Sequence, residues 1–307
     1  MRNIRKNSAD TKTCWILEKD RELITKETIF CTIGSKEYEP MVSLLVNSFF
    51  KFHPKSRFII FSGDEYNLNN INETANLEYR KLDFGTSSGS KRLVYSRYKP
   101  FVLRSLIEEG WQSIIYLDPD MLVMSSLDEV IDLVEKSSLT LTPHILKPTQ
   151  ENSIENYDKI LLNAGMFNAG FIGLSQSHQV CAFLQWWESR TSEHGISFVN
   201  SGFYFDQRWL DLAPGYVEKC FILRDPGFNA AYFNLSNQRI QVANGNYYVN
   251  GSILKLIHFS GFDSEILPSS NIYFPQVQIS DFGPLESVFA SYADKLLAFG
   301  WKPRRVD

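Results

Sequence analysis

From Thr28 onward the chain alternates short apolar runs with longer amphipathic ones. Thr28-Ile29-Phe30-Cys31-Thr32-Ile33 is a β-favouring run stopped by Gly34. The stretch from Tyr38 to Phe52 repeats its apolar positions at helical spacing until His53-Pro54 ends it. Arg57-Phe58-Ile59-Ile60-Phe61, Leu77 to Leu82 and Ser113-Ile114-Ile115-Tyr116-Leu117 read as further strands. Between the last two, Arg92 to Glu109 predicts a helical region, interrupted or started at Pro100 and ended by Gly110. Strands that are apolar at consecutive rather than alternate positions are covered on both faces. Joined by helices, they imply crossover connections and a mostly parallel α/β sheet.

Past Asp118-Pro119-Asp120 the pattern predicts a helix over Leu127 to Val134, a strand over Leu139 to Thr142 and a polar helix from Ser153 to Leu162. A strand over Phe171 to Leu174 and a helix from Gln179 to Arg190 follow. Between Gly195 and Gly261 periodicity weakens while Gly, Asn and aromatic residues increase, which predicts loops and short strands on a binding face. Residues 284 to 299 are amphipathic again, with Leu285, Val288, Phe289, Tyr292 and Leu296 on one side. No internal repeat or linker is visible. The expected organisation is an N-terminal extension (1–26), a single α/β domain (27–283), and an amphipathic helix with a basic tail (284–307).

Composition narrows the function classes. With 44% hydrophobic and 21% charged residues among 307, the chain can bury a sizeable core without disulfides or a structural metal. A formal net charge of -4 argues against nucleic acid as the main partner. Cys14, Cys31, Cys181 and Cys220 form no CxxC pair, so neither a zinc cluster nor a redox dithiol is expected. The first residues carry no apolar signal core and no long apolar run occurs, so we expect a cytoplasmic protein with at most peripheral membrane contact through Lys302, Arg304 and Arg305. The 14% aromatic content leaves two readings open, a Phe-rich core or a sugar-binding surface.

The most informative stretch is Ile114-Ile115-Tyr116-Leu117-Asp118-Pro119-Asp120. A buried strand delivers two carboxylates, one residue apart, to the carboxyl edge of a parallel sheet, where ligands bind. Carboxylates so close repel, and a hard divalent cation bound through oxygen relieves the repulsion while bridging to substrate phosphates. The competing reading is a plain surface turn, since Asp-Pro is common turn chemistry. His258, directly after the apolar Leu256-Ile257, would complete a ligand set suited to Mn²⁺.

Taken in order, Cys31-Thr32-Ile33-Gly34, Ser96-Arg97-Tyr98-Lys99-Pro100, the YLDPD segment, Asn168-Ala169-Gly170-Phe171, Asp206-Gln207 and His258-Phe259-Ser260-Gly261 resemble GT-A fold glycosyltransferases of the family 8 type. The resemblance spans residues 28 to 262 and implies a GT-A sheet, a nucleotide-sugar donor, UDP-linked, and Mn²⁺ or Mg²⁺. It implies Asp118, Asp120 and His258 as metal ligands, with Asp118 also on the donor side, and Thr32, Ile33 and Gly34 as the turn that holds the nucleoside. It implies Arg97 and Lys99 as cations near the phosphates or the first carboxylate, Asn168 and Gly170 as lining the donor sugar, Asp206 and Gln207 as a polar pair at the reacting centre, and Gly261 as part of the donor site. The chain departs from the family where a Lys commonly follows the HxxG segment, because Phe262-Asp263-Ser264 stands there. Arg97, Lys99, Arg92 and the metal would then carry the leaving diphosphate.

Breaking the bond from sugar C1 to diphosphate develops negative charge on the leaving group, which a metal clamp stabilises. An inverting enzyme also needs a carboxylate base, for which Asp206 is the candidate; the resemblance leans towards retention, and Asp206 reads equally as a structural hydrogen-bonding group. The acceptor would be a glycan, a lipid-linked sugar or a protein. Phe203-Tyr204-Phe205, Trp209, Trp186 and Trp187 read either as acceptor subsites or as core, and His144 either as a donor or acceptor contact or as a structural residue. Two other functions stay in view: a catalytically silent nucleotide-sugar or carbohydrate-binding module, and a sugar nucleotidyltransferase, against which stands the lack of a Gly-rich phosphate loop with a Lys.

Overall fold

One strand explains the layering of the molecule. In a computed structural model that describes residues 3–5, 26–84, 91–148, 155–193, 206–235, 238–262 and 278–302, all five side chains from Ile29 to Ile33 are buried. Ile29, Cys31 and Ile33 enter one core and Phe30 enters another, as the two-residue period of a strand demands. A strand with apolar residues at every position needs cover on both sides, and the helices supply it.

The chain runs β1 (Asn3–Arg5), β2 (Lys26–Ile33), α1 (Glu39–Phe52), β3 (Arg57–Ser62), β4 (Leu77–Asp83), α2 (Lys91–Glu108), β5 (Trp111–Leu117) and β6 (Met121–Val123). It continues through α3 (Asp128–Lys136), β7 (Leu139–Pro143), α4 (Glu155–Ala164), β8 (Phe167–Ser175) and α5 (His178–Glu193). Short strands β9 (Cys220–Ile222), β10 (Ala230–Ala231), β11 (Ile240–Ala243), β12 (Asn246–Val249), β13 (Ser252–Ile253) and β14 (Leu256–His258) precede the C-terminal helix Glu286–Ala298. The main sheet has the order β1-β4-β3-β2-β5-β8-β7-β9. β8 runs against both neighbours, and the other strands share one direction. This is the expected mostly parallel α/β sheet, a GT-A arrangement.

Helices α2 and α5 cover the Ile29 face, with Val102, Leu106, Phe183 and Trp187 in its core. Helices α1 and α3 cover the other, with Val42, Phe49, Val130 and Val134. Helix α2 begins at Lys91 and passes through Pro100, so the proline neither starts nor interrupts it. The residues on either side, from Val94 to Ile107, share one buried apolar face, and that packing outweighs the backbone hydrogen bond that a proline removes. Gly110, at φ 91°, ends the helix as the sequence indicates.

The C-terminal helix packs Val288, Phe289, Tyr292 and Leu296 into a third core with Phe259, just beyond β14, and with Met41 and Leu44 of α1. Tyr292 stacks on Phe259 with ring centroids 3.7 Å apart. This helix therefore backs the segment that carries His258. Strands β11, β12 and β13 form an antiparallel meander turned by Asn244-Gly245 and Asn250-Gly251. All four turn residues have positive φ, the requirement of tight two-residue hairpin turns. Among the described residues no helix is long and apolar enough to cross a membrane. Phe203-Tyr204-Phe205, Asp263-Ser264 and Arg304-Arg305, each given a reading above, lie outside the described residues, as does the side chain of Arg92.

Candidate functional site

The Asp118–Asp120 turn is pinned from both sides. Strand β5 delivers it, and the Met121 amide closes the turn on the Asp118 carbonyl at 3.1 Å. The Asp118 amide donates to the Gly170 carbonyl of β8 at 2.8 Å, and the Phe259 amide donates to the Asp120 carbonyl, also at 2.8 Å. Strand β6 then pairs antiparallel with β14 in the register that sets Met121 opposite His258. Asp120 and His258, 138 positions apart in sequence, are thereby brought together by the backbone ladder.

His258 Nε2 lies 3.1 Å from Asp120 Oδ1 and 3.8 Å from Asp118 Oδ2. One ligand atom from each of the three residues falls within 4.8 Å of the others, so the donor set fits a single divalent cation. The turn reading of Asp-Pro-Asp is correct for the backbone, but the carboxylates face inward. His258 is buried; burial opposes its protonated form, yet the Asp120 carboxylate, with Asp118 behind it, raises its pKa. The electrostatics of the cluster thus call for a positive charge at Nε2, which a metal ion would provide while releasing the proton.

A buried lysine orients the first carboxylate. Lys99 Nζ, on α2, lies 3.3 Å from Asp118 Oδ1, 2.9 Å from Asp206 Oδ2 and 3.0 Å from the Ala169 carbonyl. Burial works against its charge, but Asp118 and Asp206 hold its pKa above the usual lysine value. Tyr116 donates its hydroxyl to the same Asp118 Oδ1 at 2.6 Å. With Oδ1 engaged twice, Oδ2 is left towards His258. Arg97, two residues earlier on α2, is turned by roughly 200° from Lys99 about the helix axis, and burial lowers its pKa. Its carbonyl accepts from Thr191 on α5.

The segment Asn168–Gly170 occupies a break in the sheet. Leu141 of β7 faces Ile172, whereas the next residue, Thr142, faces Asn168, so Ala169, Gly170 and Phe171 bulge out of that ladder. The bulge aims the Ala169 and Gly170 carbonyls at Lys99 and at the Asp118 amide. Gly170 is required by crowding. A Cβ there would lie 2.5 Å from His258 Cε1 and 2.6 Å from Asn168 Oδ1. Gly170→Ala should displace the imidazole and weaken Mn²⁺ binding about 10- to 100-fold, read by metal titration, with a stability loss of about 1–3 kcal/mol. Unchanged affinity would mean that His258 is no ligand.

Asp206 and Gln207 open a short 3₁₀ segment and are both buried. The Trp187 indole donates to the Asp206 carbonyl at 3.0 Å, and Gln207 Oε1 lies 3.4 Å from the Ala169 amide. Trp187 is fully buried, and Trp186 packs edge-on against Trp209 and Tyr216. The strand register Cys31 to Tyr116 places Thr32, Ile33 and Gly34 beside the Asp118 turn on the same sheet edge. A Cβ on Gly34 would meet Tyr66 Oη at 2.5 Å. Gly261, at φ 71°, turns the chain after His258.

His144 is buried behind the site, where its ring packs against Phe233 at 5.0 Å. Burial lowers its pKa to about 4. An unfolded histidine takes up a proton near pH 6.5 and this one does not, so its contribution is complete above pH 6.5 and is lost as pH falls towards 4, on the order of 3 kcal/mol. His258, with a raised pKa, contributes with the opposite sign. Urea midpoints compared between the wild type and His144→Gln should therefore converge as pH falls from 6.5 to 4.5; parallel profiles would refute the assignment.

Sequence reasoning missed Tyr116 as a partner of Asp118, and Asn229, whose Oδ1 lies 3.0 Å from His258 Nδ1. It also missed a polar cluster near the Gly34 turn, in which Asp64 Oδ2 accepts from the Tyr95 hydroxyl and from the Lys36 amide, both at 2.9 Å. The hydroxyls belong to residues that read as apolar in a hydrophobic pattern, and the Asn229 pairing carries no local signal.

No family model matches the chain. The uncharacterized protein YfnD of Bacillus subtilis (strain 168) is 23% identical over 179 residues, 58% of this chain, and the chain spans about half of that relative, 55% of its length. Two solved structures of the galactosyltransferase LgtC, one with donor and acceptor sugar analogues and one an active-site variant, superpose with TM-scores of 0.50 and 0.52 at 14% identity. Each covers 87% of this chain and 95% of that one. In fold, therefore, this chain is similar to GT-A glycosyltransferases over most of its length.

Proposed function

We propose that the protein is a metal-dependent glycosyltransferase that moves a sugar from a nucleotide-diphosphate donor, UDP-linked, to a glycan acceptor with retention of anomeric configuration. The observation that carries this reading is the Asp118–Asp120–His258 cluster on the carboxyl edge of a GT-A sheet, with three donor atoms positioned for one cation. The likeness to LgtC, solved with donor and acceptor sugar analogues, supports a nucleotide sugar and a glycan as substrates.

A divalent ion, Mn²⁺ or Mg²⁺, would supply positive charge to the leaving diphosphate. Asp118, Asp120 and His258 would hold it. The chain's own contribution is orientation. Lys99 and Tyr116 fix Asp118, the β8 bulge fixes the turn that bears it, and the edge around Gly34, Asp64 and Tyr95 would receive the nucleoside. Asp206 is paired with Lys99 and buried, so it fits a positioning role better than that of a solvent-facing base on the acceptor. This pairing favours retention, which needs no such base.

A panel of nucleotide sugars incubated with the protein and Mn²⁺ should give slow release of nucleoside diphosphate from one donor class, and chelation of the metal should stop it. If no donor binds or turns over, the transferase reading fails. Proton NMR of the first transfer product should show the anomeric configuration of the donor; an inverted product would exclude retention.

A further inference from the structure

A chain of hydrogen bonds runs from the back of the sheet to the candidate metal ligand, and backbone groups of fixed polarity clamp it at two points. At the far end the Gly165 carbonyl, which can only accept, lies 2.9 Å from His144 Nδ1, so that nitrogen carries the hydrogen. At the near end the Gly170 amide, which can only donate, lies 2.9 Å from Asn168 Oδ1, so the oxygen of that side-chain amide is fixed in place. The Asn168 NH₂ group must then point the other way, and it meets His144 Nε2 at 3.3 Å. The lone pair left on His144 Nε2 by the first clamp is the acceptor that the second clamp demands. The two ends agree.

The same orientation reaches His258. Its Nδ1 faces two amide oxygens, Asn168 Oδ1 at 3.1 Å and Asn229 Oδ1 at 3.0 Å, so Nδ1 carries a hydrogen and Nε2 is the nitrogen turned to the carboxylates. Asn229 is held in turn, with its NH₂ donating to the Thr142 hydroxyl at 3.2 Å. Metal-ligating histidines commonly have the other ring nitrogen held in this way, and loss of such a partner weakens the metal. Here that partner is itself positioned by a second histidine.

We propose that His144 is a positioning residue for the metal centre, acting through Asn168 to fix the orientation and tautomer in which His258 presents Nε2 to the cation. The inference rests on the metal reading given above. It goes beyond that reading in assigning a role to a buried residue outside the three candidate ligands of the cation.

Mn²⁺ affinity, measured by loss of the free-ion electron paramagnetic resonance signal, tests it without reference to activity. His144→Phe keeps a ring against Phe233 but offers Asn168 no acceptor; it should bind Mn²⁺ about 10- to 100-fold more weakly. His144→Gln keeps both an acceptor and a donor, and should return to within about threefold of wild type. Equal affinity in wild type and His144→Phe would overturn the role of His144 and leave the metal reading intact. Failure of the wild type itself to bind Mn²⁺ would overturn both. A third measurement does not depend on a variant folding: ¹⁵N NMR of the histidine-labelled wild type should show His144 with hydrogen on Nδ1 and a bare Nε2, and the opposite tautomer would refute the proposal.

Discussion

Asp120→Asn should leave the protein folded, abolish Mn²⁺ binding at micromolar concentrations, and lower transfer by about 10³-fold, or roughly 4 kcal/mol at the transition state. The expectation of intact folding comes from the position of the side chain. Asp120 sits in a turn whose backbone is held by Phe259 and by the β6–β14 pairing, and its carboxylate faces Asp118 and His258 rather than a hydrophobic core. Removing one of two neighbouring negative charges also relieves repulsion in the metal-free protein. The loss of binding follows from ligand number, since only Asp118 and His258 would remain of the three.

The affinity should also depend on pH with a defined sign. In the metal-free protein the carboxylates raise the pKa of His258, and a cation at Nε2 must displace that proton. Binding to wild type should therefore tighten as pH rises through the His258 range and weaken as it falls. In Asp120→Asn the largest charge that raises this pKa is gone. Titration of Mn²⁺ into both proteins at several pH values, alongside thermal melting, tests the argument. A folded Asp120→Asn that binds Mn²⁺ and turns over as wild type does would remove this cluster from the mechanism.

The legibility of the sequence differed sharply between elements. Strands β2 and β5 were readable because each is buried on both faces, and an unbroken apolar run has few other meanings. The direction of β8 was not, because an apolar run says nothing about polarity, and its first residues were hidden by Asn168 and Gly170, which depress strand propensity while performing the bulge that the site needs. Strand β1, Asn3–Arg5, is three residues in a charged segment read as an extension, yet it pairs in parallel with β4 at the sheet edge. The β11–β13 meander was readable in principle: Asn244-Gly245 and Asn250-Gly251 are hairpin dipeptides, and the local weakness of hydrophobic periodicity masked them. At the site, the candidate metal-binding triad Asp118, Asp120 and His258 could be named from motif order. Lys99 could be named beside the first carboxylate in the same way, but Asn229 and the pairings of Asn229 with His258 and of Lys99 with Asp206 could not, since they cross long separations that only the fold closes.

That last pair carries the largest expected effect on stability. Lys99→Met should destabilise the protein by about 3–5 kcal/mol, because it strands charge in the interior rather than merely deleting a contact. Lys99 is only 5% exposed and Asp206 6%, and the ammonium stands between Asp206 Oδ2 at 2.9 Å and Asp118 Oδ1 at 3.3 Å. Without it the Asp206 carboxylate is left buried beside the partly buried one of Asp118, which keeps the Tyr116 hydroxyl as a donor among the described residues. Methionine fills much of the volume, so the loss reports on charge more than on a cavity. Arginine is no conservative replacement, since its planar fork is wider than the point charge that now meets three acceptors. The double variant Lys99→Met with Asp206→Asn removes the stranded charge and should recover a large part of the loss, and the coupling read from the cycle measures the pair itself. Urea denaturation of the four proteins supplies the numbers. A Lys99→Met protein within about 1 kcal/mol of wild type would mean that this lysine is not the buried counter-ion that orients Asp118.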